Sequence, residues 1–229
     1  MGYNEENVHM GSLDYHLKEL GIALDRNDER RILPTVLDSD KVILDIGCGI
    51  GQTFIALDWA DRTCVGLDVD KEAIRFGSKN YGSKIQFILS DAQYIPLPAS
   101  TFDLVYGRVS LPYTNIPKVI REIRRVLRSD GRVWMTLHSR DRAVLYLKEA
   151  IRSRNIKRLM HVTYILINGY LLKYFGIVLR FLDGSYESWQ DLSAMKKLLV
   201  RSGFKAEVHE AGRHTVIEGR PVRGRREKG

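Results

Sequence analysis

The spacing of apolar residues changes at residue 42, and the change divides the chain. Before it, Leu13, Leu17, Leu20 and Leu24, then Ile32 and Val36, recur at helical intervals. Gly21 and Pro34 are expected to break that stretch, so residues 1–40 read as an N-terminal helical cap whose first twelve residues are loosely ordered. From Val42 onward, short continuous apolar runs alternate with helically spaced segments. Val42–Ile46, Cys64–Asp68, Ile85–Leu89, Phe102–Tyr106 and Arg132–Leu137 read as five strands, the first without polar alternation, as in a strand covered on both faces. Gln52–Trp59, Lys71–Asn80 and Ile116–Leu127 read as the intervening helices, with Asp70 placed to cap the second and Asp130-Gly131 as a turn before strand five. Strands separated by helices predict right-handed crossovers and an α/β, doubly wound, Rossmann-like sheet.

From Arg140 the rhythm breaks. Ala143–Arg158 is helical and basic, and Leu159–Leu182 is apolar and aromatic, so 140–185 reads as a helical insertion covering the site. Leu192–Arg201 is a helix closed by Ser202-Gly203, and 204–210 with 215–219 alternate like a hairpin around Gly212. The expected sheet has seven strands, mostly parallel, with an antiparallel last strand and the insertion between strands five and six. Residues 41–220 form that domain, and 221–229 read as a basic, disordered tail.

Composition narrows the setting. With 229 residues, 44% hydrophobic and 28% charged, one soluble domain is expected. Cys48 and Cys64 make neither a disulfide framework nor a metal site, which fits a reducing, cytoplasmic home. Met1–Leu20 is polar with no apolar central run, so no secretory leader is expected, and the longest uncharged stretch of the insertion, Leu159–Leu172, has 14 residues, short of the ~20 that a spanning helix needs. Net charge is −8 over residues 1–70 and +16 over the rest, which favours anionic partners or a solvated basic face.

The candidate chemistry lies where strand one ends. Asp45-Ile46-Gly47-Cys48-Gly49-Ile50-Gly51 forms a glycine turn that brings backbone close to a ligand. The third glycine of a dinucleotide fingerprint would fall at Gln52, and Asp45 would repel a pyrophosphate but attract an ammonium. A cofactor with an amino-acid end fits this loop better than a nicotinamide dinucleotide. Cys48 reads as a small residue beside the ligand rather than a nucleophile.

The stretch VILDIGCGIGQT (42–53) resembles the first motif of class I S-adenosylmethionine-dependent methyltransferases, of the small-molecule "type 11" kind. Further similarities follow in order: Val65–Asp70 to the second motif, Ser90-Asp91-Ala92 to the adenine motif, Phe102–Val105 to strand four, 122–133 to the helix-turn-strand after it, and 189–203 to the penultimate helix. The resemblance implies S-adenosylmethionine as cofactor. It assigns Asp68 to the ribose hydroxyls, Val69 to packing on the adenine, Asp91 to the adenine amino group and Ala92 to a backbone contact with the ring. Asp45, Gly47, Cys48, Gly49 and Gly51 would surround the amino-acid end, with Arg108 near its carboxylate or an anionic acceptor.

The acceptor side departs from the family. A Leu-His-His-like sequence is common after strand four, and here Leu111-Pro112-Tyr113 stands instead. The Asn-Pro-Pro-Tyr motif of nucleobase-amine and glutamine enzymes is absent, which disfavours a nucleic-acid acceptor. His138, ending strand five, is the candidate base, with Tyr113 and then Tyr106 behind it, and His161 reads as structural. A small lipophilic or anionic acceptor is expected. Arg140, Arg142, Lys148, Arg152, Arg154, Lys157 and Arg158 face only Asp141 and Glu149. Beside the aromatic stretch that follows, they predict either peripheral contact of 140–182 with an anionic membrane, a lid over a greasy acceptor, or plain packing. The rival readings are a nicotinamide-dependent oxidoreductase, a non-catalytic cofactor-binding protein, and an RNA or protein acceptor suggested by the basic tail.

Overall fold

In a computed structural model, the structure describes residues 11–57, 61–211 and 214–222. Its centre is a seven-stranded sheet in the order β3-β2-β1-β4-β5-β7-β6. The strands are β1 (Val42–Ile46), β2 (Thr63–Asp68), β3 (Ile85–Leu89), β4 (Phe102–Gly107), β5 (Leu127–Leu137), β6 (Phe204–Ala211) and β7 (His214–Pro221). The first five run parallel, and β7 pairs antiparallel with both β5 and β6. The strand order therefore reverses between β1 and β4, which opens a crevice at the carboxyl ends of the strands.

The helices are α1 (Ser12–Leu24), α2 (Gln52–Leu57), α3 (Lys71–Tyr81), α4 (Ile116–Val126), α5 (Arg140–Arg152), α6 (Ile156–Phe175) and α7 (Leu192–Arg201). α4 shows why such segments fold as they do. Val119, Ile120, Ile123 and Val126 form one apolar stripe and are fully covered against the sheet. Asp70 caps α3, accepting from the N–H groups of Glu72 (2.9 Å) and Ala73 (3.1 Å). Continuous apolar cores cover both faces of the sheet, so β1 through β5 read as apolar runs.

Several expectations need correction. Gly21 does not break α1, and 25–41 contains no helix, so Ile32 and Val36 belong to a loop. The Asp130-Gly131 turn is a bulge within β5, where Phe102 pairs with Leu127 but Leu104 pairs with Arg132. A side chain at Gly131 would meet the Phe102 and Asp103 carbonyls within 3.0 Å. The basic helix expected at 143–158 is two helices. They are separated at Arg154, which has φ 50°, and restarted by Asn155, whose side chain accepts from the Arg158 N–H. α6 ends at Gly176 in the left-handed conformation, so 177–182 is loop rather than helix. β7 continues to Pro221. Trp59, Gly212, the first ten residues and 223–229 lie outside the described residues.

Candidate active site

The crevice at the strand ends holds a cavity of about 420 Å³. Its wall is drawn from the loop after β1 (Gly47), the ends of β2 (Asp68, Val69) and β3 (Asp91, Ala92), and the segment after β4 (Arg108 to Thr114). Tyr15, His16 and Glu19 from α1 complete one side, and Arg180 and Ser185-Tyr186 from the loop after α6 complete another.

The glycine loop is shaped by contacts that leave no room for side chains. Gly47 has φ +74°, and a Cβ there would meet the Ser110 Cβ at 2.3 Å; Gly49 has φ +53°, and a Cβ there would strike His16 Nδ1 at 2.3 Å. The loop is tied to β2. The N–H groups of Gly47 and Cys48 donate to the Leu67 carbonyl, and that of Gly49 donates to Asp68 Oδ2 at 2.7 Å. Asp68 Oδ1 accepts from the Asp70 N–H at 2.9 Å. Gln52 folds back to accept from the Ile50 N–H at 3.0 Å, which occupies a donor that a pyrophosphate would need.

Beneath the loop, Asp45 is 2% exposed and its Oδ1 has no hydrogen-bond partner. Burial raises its pKa from 3.8 to about 8, against the lowering effects of the Tyr106 hydroxyl and Arg108. Cys48 packs over Gly66 away from the cavity wall, and burial lifts its thiol well above the usual range. Across the switch point, Arg108 is buried and paired with Glu19 of α1 at 2.8 Å. Val109 adopts φ 65°, a strained conformation for a β-branched residue, and its N–H donates to Thr136 Oγ1 at 2.8 Å. At the β3 end, Asp91 accepts from the Gln93 N–H and side-chain amide at 2.8 and 2.7 Å, while Gln93 Oε1 is buried without a partner.

Of the two candidate catalytic groups, only Tyr113 forms part of the wall. His138 stands behind it, the rings meeting edge-on at 5.7 Å. Burial, then Arg142, depresses the His138 pKa to about 3, so the imidazole is neutral at pH 7 but a weak base. Burial and Glu187 push the Tyr113 phenol well above 10. Tyr106 is buried inside β4, and His161 is buried against Glu187 at 2.8 Å.

The family model described as a methyltransferase domain matches residues 44–135, from β1 through most of β5. Over this segment the sequence is that of a methyltransferase domain. The chain is similar to known methyltransferases over stretches of comparable length. It is 32% identical over 101 residues to an uncharacterized methyltransferase, YcgJ, of Bacillus subtilis, covering 42% of this chain and 40% of that protein. It is 35% identical over 97 residues to a sterol 4-C-methyltransferase of Caenorhabditis elegans, covering 39% of this chain and 28% of that protein. The matched part thus spans less than half of either relative. A Thermotoga maritima structure, described as an S-adenosylmethionine-dependent methyltransferase and possible histamine N-methyltransferase, superposes with a TM-score of 0.60. It covers 90% of this chain and 94% of that one at 14% identity, which establishes a shared fold.

The cofactor of a class I methyltransferase domain is S-adenosylmethionine, and the donor set here fits it. The backbone at Gly47 lines the cavity, and Asp45, its Oδ1 unpartnered, lies buried beneath the loop and outside the cavity wall. Acceptors stand at Asp68 and Asp91, and Val69 is 68% exposed beside them, an apolar face available to an aromatic ring. Sequence reasoning missed the contribution of α1. Ser12, Tyr15, His16 and Glu19 fall at i, i+3, i+4 and i+7 and form one polar stripe, which faces the site. Ser12 Oγ donates to Asp70, and His16 Nε2 lies 3.3 Å from the same carboxylate.

Proposed function

We propose that this chain transfers the methyl group of S-adenosylmethionine to a small, lipophilic acceptor held between Tyr113, Arg180 and Tyr186. One observation carries the reading: a single cavity joins the cofactor-type acceptors Asp68 and Asp91 to an aromatic wall contributed by Tyr113 and Tyr186. When bound, the cofactor supplies an electrophilic methyl group on a sulfonium. Asp68 accepts from the ribose diol, Asp91 and the Ala92 backbone recognise adenine, and Val69 packs on its face. Asp45 meets the ammonium from beneath the loop, and Arg108, held by Glu19, draws the carboxylate. Cys48 supports the loop from behind.

In-line displacement at a sulfonium needs alignment and exclusion of water more than acid-base help. Tyr113, protonated at neutral pH, acts as a hydrogen-bond donor that orients the acceptor. His138 fixes the Tyr113 ring from behind rather than removing a proton. The acceptor of the sterol-methylating relative is lipophilic by name, which agrees with the tyrosine wall. The test is a mass-spectrometric screen for a gain of one methyl on lipophilic alcohols, phenols, acids and sterols, with the Asp68→Ala variant as control. The reading fails if no acceptor gains a methyl group, or if the variant methylates as well as the parent.

A further inference from the structure

α6 carries apolar side chains on its outer face and three polar ones among the apolar ones on its inner face. Its buried residues are Arg158, His161, Val162, Ile165, Asn168, Gly169 and Leu172, while its exposed ones include Ile156, Met160, Ile167, Tyr170 and Tyr174. At 100° per residue those five, with Thr163, fall within about 80° of arc and run about 27 Å along the helix. No charged residue interrupts them. The polar side has its partners inside the fold. His161 meets Glu187 at 2.8 Å, Arg158 meets Glu149, and Asn168 bonds the Leu179 N–H and the Leu179 and Glu187 carbonyls at 2.9–3.0 Å. The outward apolar face is therefore fixed by internal hydrogen bonds, and rotating the helix would break them.

The face extends beyond the helix. Phe175 at the helix end is 72% exposed, Ile177, Leu179 and Leu182 are 47%, 52% and 87% exposed, and the loop that holds these three goes on to Tyr186 in the cavity wall. Arg152, Arg154, Lys157 and Arg180 are exposed around it. Between 140 and 182 the only acids are Asp141 and Glu149, and Glu149 is engaged by Arg158.

We propose that this face docks on an anionic lipid bilayer. The helix would lie in the interface with its apolar stripe among the upper acyl chains and the surrounding Arg and Lys at the headgroups. No described helix is long and apolar enough to cross a membrane, and the bonded polar side of α6 requires it to lie flat. A second copy is a poorer occupant, because self-pairing would bring two basic segments together. The loop from α6 to Tyr186 then places the cavity beside the bilayer, so a lipophilic acceptor reaches it without crossing water. That consequence rests on the methyl-transfer reading; the docking does not.

The experiment is co-sedimentation of the full chain, without cofactor or acceptor, with vesicles of phosphatidylcholine alone or with about 30% phosphatidylglycerol. We expect binding to the anionic vesicles that weakens as salt rises past the range where the Debye length falls to about 8 Å. The double variant Ile167→Glu/Tyr174→Glu should bind at least about tenfold more weakly, since each change places a charge in the apolar stripe. Its melting temperature and S-adenosylmethionine affinity should match the parent's. Absence of binding to anionic vesicles at low salt, or equal binding by the variant, overturns the proposal. So does a dimer that the variant abolishes while vesicles bind neither protein. Any of these leaves the methyl-transfer reading intact, because that reading is scored on methylated product.

Discussion

Replacing Asp45 with Asn tests the electrostatics under the glycine loop. The side chains are nearly isosteric, so the change mainly removes a titratable proton. Asp45 has a pKa of about 8 in the fold, against 3.8 when unperturbed. Between those values the folded protein holds a proton that the unfolded chain has lost. Stability then falls with rising pH, by at most about 1.4 kcal/mol per pH unit for one group. A separation of about four units gives an upper bound of about 6 kcal/mol between pH 4 and pH 8, a large part of the 5–15 kcal/mol that domains typically possess. Relaxation around a buried charge will reduce this, and about 2–4 kcal/mol is expected. The assay is urea denaturation of parent and Asp45→Asn variant from pH 5 to pH 9. The gap between them should be narrowest at pH 5. The variant should become the more stable of the two as pH rises, with the difference levelling off above pH 8. A constant difference across the range would refute the reasoning. The same variant should bind S-adenosylmethionine at least about tenfold more weakly, since a desolvated charge pair near an ammonium is lost. Asp45 would then be a residue whose ionised form serves the ligand at the expense of the unliganded fold.

Three further outcomes follow from the geometry. Gly47→Ala should lose about 2–4 kcal/mol, from a left-handed φ and a 2.3 Å approach to Ser110; adding Ser110→Gly should recover the steric part, as read by urea denaturation. Asn168→Ala removes the side-chain bonds to the Glu187 carbonyl and the Leu179 N–H, while the Leu179 carbonyl keeps the Tyr164 hydroxyl, so it should cost about 2–3 kcal/mol and speed amide exchange at the Leu179 N–H. Arg132 and Asp40 form a buried ion pair at 2.6 Å, each side chain 4% exposed; Arg132→Met should destabilise by about 3–5 kcal/mol in thermal or chemical melts.

The sheet was legible in the sequence because strands buried on both faces must be apolar throughout. Val42–Ile46 is a five-residue run with no alternation, and the turn after it needs glycine where φ is positive. Helices whose apolar stripe faces the core, such as α4, were equally legible. What sequence reasoning missed shares one physical cause. In α1 the leucine spacing pointed to a core face, yet Leu17 and Leu24 are exposed and His16 is buried over Gly49. In α6 Arg158, His161 and Asn168 turn inward among Val162, Ile165 and Leu172, while Ile156, Met160 and Ile167 face outward. Both helices present polar groups to other polar groups of the fold, and apolar periodicity is silent about which face that will be. The bulge at Gly131 was hidden for a different reason. Asp-Gly is a turn signal in isolation, and only the pairing with β4 shows that the strand continues through it. At the site, Asp68, Val69, Asp91, Ala92 and Arg108 do meet around one cavity. His138 does not reach its wall but packs edge-on against Tyr113, which does.

The central claim is the cofactor, and calorimetry on the purified chain measures it most directly. Titration with S-adenosylmethionine and with its demethylated product should each show saturable binding near one site per chain, weakened in Asp68→Ala, while NAD gives no heat beyond dilution. Saturable binding of NAD with no response to either S-adenosyl compound would contradict the account.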